Sequence, residues 1–302
     1  MNSTNCCLCQ GSNFEIQPVR YSFGESTYDL VRCKSCSLFT IEPMPADAQI
    51  KEFYNPQYFE KDHSCGVKAK QYFQEEDRVA RKAEEALQLI LKYKSRGKLL
   101  EIGCAGGLFL QQARQRGLDV MGLELAPEIA EEGTKRYGLR IEIGDFQSHS
   151  LPEHEFDVVS MFDVFEHFPK PVNILHKVKN LLRTSGILFI DIPTTKNGLP
   201  YRLSTFLLNR LGKRRIFQTP PYHLFEYTPY TLGKMITQAG LNILFKKKYA
   251  TPPWVCDDAS GGGIASVLLG ASRWTNYVVA STTGLFSDRL IVIASKNEGD
   301  KQ

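Results

Sequence analysis

From about residue 70 onward, strand-like and helix-like runs alternate with a regularity that few folds can accommodate. The run DRVARKAEEALQLILKY sets Val79, Ala83, Ala86, Leu87, Ile90 and Leu91 on one helical face. Strand KLLEIG, helix GGLFLQQARQRG, strand LDVMGLE, helix PEIAEEGTKRYG and the short strand RIEI follow. Strand FDVVSMF, helix PVNILHKVKNLL and strand GILFIDIP continue the alternation. Gly117 and Gly138 stand where helices should stop, and Pro127 where one should start. Such alternation predicts an α/β fold, a mostly parallel sheet covered by helices on both faces. Ligands in such sheets bind beyond the carboxyl ends of the strands. Those ends carry Glu101, Glu124, Asp145 and the Phe162-Asp163 pair, a row of acidic residues.

The stretch KLLEIGCAGGLFL joins the first strand to its helix through a turn of small residues. Its pattern, Glu101-x-Gly103-x-Ala105-x-Gly107, departs from the dinucleotide fingerprint, because Leu108 stands at the third glycine position. A pyrophosphate would also meet the charge of Glu101, whereas a cationic ligand would be well served by it.

These residues resemble motif I of the class I S-adenosylmethionine-dependent methyltransferases. The resemblance implies that Glu101, Gly103, Ala105 and Gly107 hold the methionine part of the cofactor. It also implies that Glu124 meets the ribose hydroxyls, and that Asp145 and Phe146 flank the adenine. FDVVSMFDVFEHFPKP is similar to the fourth-strand motif and brings Phe162, Glu166 and His167 to the pocket; LLRTSGILFIDIP is similar to the fifth strand. The family implies a Rossmann-like sheet of seven strands. Ala105 is a departure, since the family often has glycine there.

Methyl transfer is an in-line displacement in which the enzyme positions the nucleophile and can remove its proton. His223 lies in TPPYHLFEYTPYTLGKMITQAGL, which resembles a segment that follows the fifth strand in one branch of the family. That likeness places His223 over the methyl group, where a histidine suits a general base; a loop-holding histidine is the plain alternative. Glu166 and His167 recur in the same branch, and Tyr222, Glu226 and Tyr227 are further polar candidates. His149 and His154 lie in a polar loop and are expected to face solvent, while His63 and His176 show no partner pattern.

Of the 8 cysteines, Cys6, Cys7, Cys9, Cys33 and Cys36 precede residue 40. Cys6-x-x-Cys9 and Cys33-x-x-Cys36 have the paired spacing of a zinc ribbon, with four thiolates around a structural Zn²⁺ and no open catalytic position. Cys7 is a bystander in this reading, and Cys65, Cys104 and Cys256 are expected to be buried small residues. The start MNSTNCCLCQ lacks a basic head and an apolar core, so the expectation is a cytoplasmic, reduced protein. A net charge of +4 on 302 residues, with 23% charged residues, gives no sign of a nucleic-acid partner.

The expected organisation is a zinc-ribbon-like domain over 1–45, an aromatic linker or lid over 46–70 and a methyltransferase domain over 71–302. Tyr54, Tyr58 and Phe59 in the linker either line the pocket or join the two parts. Two insertions interrupt the pattern, at about 199–222 and 252–286. In the first, Leu203, Phe206, Leu207 and Leu211 share one face of a basic amphipathic stretch, 199–217. It is expected to pack as a lid, with contact to an anionic membrane as the alternative. The second insertion is apolar but broken by Arg273-Trp274-Thr275-Asn276, and reads as a helix before the last strand, DRLIVIAS, rather than a membrane span. Together they suit a lipid-like or lipid-linked acceptor. The knuckles in front of this core resemble a subgroup that includes sugar and small-metabolite methyltransferases, so the expectation is transfer to a small-molecule, sugar or lipid-linked acceptor at oxygen. Two other readings remain open at this point: an inactive binding module on the same scaffold, and a nicotinamide-dependent oxidoreductase.

Overall fold

A computed structural model describes residues 5–54, 76–253 and 264–296. Tyr58, Phe59, His63, Cys65 and Cys256 lie outside the described residues. The chain opens with an antiparallel meander of β1 (Phe14–Phe23), β2 (Ser26–Cys33) and β3 (Phe39–Glu42). Helix α1 (Asp47–Phe53) folds back over it and buries Ile50 and Phe53. The Phe53 ring meets those of Phe23 and Tyr28 edge-on, at 5.5 and 6.1 Å.

The alternating part begins with α2 (Glu76–Leu91), then β4 (Lys98–Ile102), α3 (Leu108–Gln115) and β5 (Asp119–Glu124). It continues through α4 (Pro127–Tyr137), β6 (Ile141–Ile143), β7 (Phe156–Phe162), α5 (Pro171–Leu181) and β8 (Leu182–Pro193). Then come α6 (Leu199–Arg210), β9 (Arg215–Phe217), β10 (Phe225–Glu226), α7 (Pro229–Gln238) and β11 (Leu241–Tyr249). Helix α8 (Ile264–Thr283) and β12 (Arg289–Lys296) close the described chain. Pro127 opens α4, and Gly138 ends it at φ +61°, donating to the Thr134 carbonyl at 2.8 Å.

The large sheet has the expected seven strands, in the order β11-β12-β8-β7-β4-β5-β6. Strands β8, β7, β4, β5 and β6 run parallel, and β12 is antiparallel to both neighbours. Strand β4 shows why helices must cover both faces. Its Leu99 joins a core with Leu87 and Ile90 of α2 and Phe109 of α3, while Leu100 and Ile102 join the opposite core with α5 and α7. All three leucine and isoleucine side chains are almost fully buried, each worth about 2 kcal/mol of removed apolar surface.

The front of the chain is not a separate block. Its sheet has the order β10-β3-β2-β1-β9, so two strands that follow α6 complete the meander. Strand β9 pairs parallel with β1, Val19 opposite Arg215, and β10 pairs antiparallel with β3, Phe225 opposite Thr40. The two meander edges would otherwise leave backbone groups unpaired. The first insertion therefore carries one strand of this sheet besides its helix, and with β10 just after it fastens the front residues to the large core.

The packed-lid expectation for 199–217 is corrected by α6. Its Leu203, Phe206 and Leu207, and Leu211 just beyond, are each at least half exposed. The second insertion does form a helix before the last strand. Asn276 of α8 is buried and accepts the Leu199 N–H at 2.8 Å, tying α8 to the start of α6. No helix among the described residues is long and apolar enough to cross a membrane.

Candidate active site

The turn after β4 needs its small residues for measurable reasons. Gly103 sits at φ +70°, and a Cβ there would lie 2.4 Å from a methyl of Val164. Gly107 sits at φ +75° and opens α3, with Leu139 2.7 Å from any added Cβ. Ala105 holds φ +47°, a left-handed conformation that costs a residue with a Cβ about 1 kcal/mol. Its N–H donates to Glu124 Oε2 at 2.8 Å, which secures that conformation. Gly133 of α4 has no room for a Cβ against the Gly106 carbonyl, so α4 rests directly on the turn.

Two buried carboxylates face this turn. Glu124 also accepts the Ala126 N–H through Oε1 at 2.9 Å, which leaves a second lone pair on each oxygen for hydroxyl donors. Glu101 is 4% exposed, and its Oε2 has no hydrogen-bond partner among the described residues. Burial, reinforced by the Glu124 charge, pushes the Glu101 carboxyl well above the usual carboxylate range. Burial raises Glu124 too, against the pull of its backbone donors. An unpartnered buried carboxyl oxygen beside a second carboxylate suits a cation that also carries hydroxyls, and these residues fit the nucleoside sulfonium.

The remaining cofactor-binding candidates divide. Asp145 is half-buried and accepts the Gln147 N–H at 2.9 Å. Phe146 is buried against Phe168, with the Lys177 ammonium 4.7 Å from its ring centre. Phe162 stands apart from this group. Its ring packs with Phe109 and Phe189 at 4.8 and 5.1 Å, in the core beneath α3. The alternation of β7 points it to the face opposite Met161.

A second polar cluster lies beside the turn, because Val164, which touches Gly103, leads into the short 3-10 turn Phe165–His167. Glu166 is 1% exposed, and neither of its oxygens has a hydrogen-bond partner among the described residues. Its Oε1 lies 3.9 Å from His167 Nε2 and 3.8 Å from His223 Nε2, and the three ligand-type atoms sit within 4.8 Å of one another. On its other side, His223 Nδ1 is 3.6 Å from Glu226 Oε1. Lys196 Nζ meets that same oxygen at 3.1 Å, and the Thr195 hydroxyl donates to Glu226 Oε2 at 3.1 Å.

These contacts separate the two histidines. His167 Nδ1 lies 2.9 Å from the Tyr222 carbonyl, which can only accept, so Nδ1 carries the proton. The Tyr54 hydroxyl is 2.8 Å from the same nitrogen. Burial, then the neighbouring His223, lowers His167 to about 3, too weak a base to take a proton near neutrality. For His223 burial also disfavours the cation, but Glu226 and Glu166 outweigh it and hold its pKa above the ordinary value. Burial raises Glu166 to about 8, whereas Lys196 overcomes burial to hold Glu226 at about 2. His223 is also the most accessible of the three, with 34% of its side chain exposed.

Sequence reading passed over Lys196 and Thr195, which carry no spacing signal in IPTTKNG. Asp163, at a strand's acidic end, is engaged elsewhere: it pairs with Lys82 at 2.9 Å and with Arg289, which also holds Asp191. His149 differs from expectation, being half-buried with Nε2 2.8 Å from Glu142. His154 is exposed, and Cys104 is buried as expected.

At the front of the chain, the Sγ atoms of Cys6, Cys9, Cys33 and Cys36 all lie within 4.8 Å of one another. Cys6–Cys36 and Cys9–Cys33 are 3.5 Å apart, far beyond a disulfide bond and close to the ~3.8 Å edge of a tetrahedral zinc–thiolate site. The two knuckles match. The fourth residue after each leading cysteine, Gln10 and Ser37, is left-handed and donates its N–H to that cysteine's carbonyl at 2.8 Å. Cys7 stands outside the set, and burial pushes its thiol up to about 12.

Comparison with known proteins agrees with this geometry. A family model described as a methyltransferase domain matches residues 73–245. A ubiquinone biosynthesis O-methyltransferase of Burkholderia pseudomallei is 26% identical over 166 residues, covering 52% of this chain and 69% of that protein. A similar protein of the same description from Ruegeria sp. is 28% identical over 194 residues, covering 61% of this chain and 73% of that one. Among solved structures, an S-adenosylmethionine-dependent methyltransferase from Archaeoglobus fulgidus superposes with a TM-score of 0.51 at 17% identity. It covers 73% of this chain and 94% of its own, and shows the shared fold.

Proposed function

Because the chain belongs to the class I S-adenosylmethionine-dependent methyltransferases, we propose that it methylates a hydroxyl of a small-molecule acceptor, with His223 taking the hydroxyl proton. The contact that carries this reading is Val164 against Gly103, which sets the cofactor turn beside the Glu166–His223–Glu226 cluster. S-adenosylmethionine, when bound, supplies an electrophilic methyl group. Glu101 balances its charge, Glu124 receives its ribose hydroxyls, and Asp145 with Phe146 borders its base. Glu226, kept ionised by Lys196, orients His223 and stabilises the imidazolium formed when the acceptor oxygen is deprotonated. His167, fixed by Tyr222 and Tyr54, and the buried Glu166 shape the wall behind it.

The relatives are described as O-methyltransferases of ubiquinone biosynthesis, and that likeness favours a hydroxyl of a small, lipid-linked molecule over a glycan. The four cysteines suit a structural zinc that braces residues 1–45 against the catalytic domain, 71–302, with 46–70 as the stretch between them. A cytoplasmic protein is the setting that suits this reaction. The test is transfer of labelled methyl from S-adenosylmethionine to phenols with and without alkyl tails, preceded by thermal-shift titration. Stabilisation by S-adenosylmethionine and S-adenosylhomocysteine with label in the tailed phenol is the expected result. Label in neither phenol, or stabilisation by NAD alone, would overturn the reading.

A further inference from the structure

We propose that α6, the segment to Ile216 and the outer side of α8 form a docking surface for an anionic lipid bilayer. Leu203, Phe206, Leu207, Leu211 and Ile216 are each at least half exposed, which is unusual for so many large apolar side chains within 14 residues. Helix α8 packs beside α6 and adds Trp274 and Val278, exposed by 53 and 54%. Exposed apolar side chains therefore occur on two neighbouring helices rather than on one alone.

Charge identifies the occupant. No Asp or Glu occurs between Asp191 and Glu226, and that stretch carries Lys196, Arg202, Arg210, Lys213, Arg214 and Arg215. Lys196 is turned inward to Glu226, and Arg214 lies 3.6 Å from Asp29. Arg210, Lys213 and Arg215 form no ion pair among the described residues. The Arg210 guanidinium lies 5.4 Å from the Phe206 ring centre, and that of Arg215 lies 4.7 Å from Phe217. Phe217 is half-buried on Tyr21, whereas the Phe206 ring is exposed, and a cationic head beside such a ring is the arrangement of an element that lies in the headgroup region. A recess of about 180 Å³ at the end of α6, lined in part by Gln17, Lys213 and Arg214, has room for a headgroup phosphate. A second copy of the chain fits poorly, because a two-fold contact through this face would bring the same cations together. No helix of the described residues spans a bilayer, so the contact lies along the surface.

The helix that carries this surface also starts close to the polar cluster. Helix α6 begins just after Lys196, whose ammonium lies 4.6 Å from the Tyr201 ring centre. The inference rests on exposure and charge, not on the methyl-transfer reading, so the two fail separately.

The test is flotation of the full chain with vesicles, with no turnover required. Vesicles of phosphatidylcholine alone are compared with vesicles containing about 30% phosphatidylglycerol, at about 0.1 and about 0.5 M salt. Binding should be at least about tenfold stronger to the anionic vesicles and should fall at high salt. The pairs Phe206→Ser with Leu211→Ser, and Arg210→Glu with Lys213→Glu, should each weaken it by about tenfold or more, with thermal stabilisation by S-adenosylhomocysteine retained as the folding control. Equal binding to both vesicle types, binding to neither, or binding unchanged in both double variants would overturn the proposal. So would a wild-type dimer that Phe206→Ser with Leu211→Ser converts to monomer, since the face would then be a protein interface.

Discussion

The cofactor turn and the proton-handling cluster adjoin one another, yet the chain builds them in opposite ways. The turn is local: Glu101, Gly103, Ala105, Gly107 and Glu124 come from two neighbouring strands and the loop between them. Both Glu124 oxygens are held by backbone N–H groups, while Glu101 Oε2 has no partner among the described residues. The cluster is assembled from distant pieces, with Tyr54, Glu166, Lys196, His223 and Glu226 held largely by one another. A local site is rigid in its backbone and specific for a shared cofactor. A distributed one can be retuned by single side chains, which suits the part that must handle the acceptor's proton.

The largest effect should follow from removing the base. His223→Ala is expected to lower kcat by about 10²–10⁴-fold while leaving S-adenosylhomocysteine affinity within about twofold; steady-state kinetics beside calorimetric titration checks both halves. Unchanged turnover would move proton removal elsewhere. Glu101→Gln should do the reverse, weakening cofactor binding by about 10–100-fold, as expected for a lost charge-assisted contact, with turnover at saturation largely kept.

Glu226→Gln should sharpen the contrast through pH. His223 acts as a base only when neutral, so the rate should rise with pH through its pKa, which the neighbouring carboxylates hold above the ordinary value. Removing the Glu226 charge should move that limb to lower pH by about one unit and reduce the plateau about tenfold. The smallest effect is on stability. Glu166 is held at about 8, above its ordinary 4.5, so the folded state keeps the proton more tightly than the unfolded chain. Its contribution is present below pH 4.5 and is lost as pH rises through about 8. Glu166→Gln should therefore flatten the decline in stability across that window by about 1–3 kcal/mol, read from denaturant midpoints.

The same division explains what could be read from residues alone. Strand and helix alternation, the small-residue turn and the paired Cys-x-x-Cys knuckles each place cause and consequence within a few positions, and each stands in the structure as read. Lys196 carries no local signature, because its role arises only when β10 brings Glu226 beside it, whereas the aromatic linker marks Tyr54 without naming His167 as its partner. Phe162 was read toward the cofactor from its strand end, but the two-residue period of β7 turns its ring beneath α3. The 199–217 stretch was read as a packed lid from its amphipathic pattern. Periodicity gives a face but not what covers it, and here β9 takes the packing role while the helix face stays open.

A crystal structure with bound S-adenosylhomocysteine tests the central claim most directly. The account expects the amino nitrogen within about 3 Å of Glu101 Oε2 and both ribose hydroxyls on the Glu124 carboxylate. A nucleoside bound elsewhere, with that Glu101 oxygen still unpartnered, would contradict it.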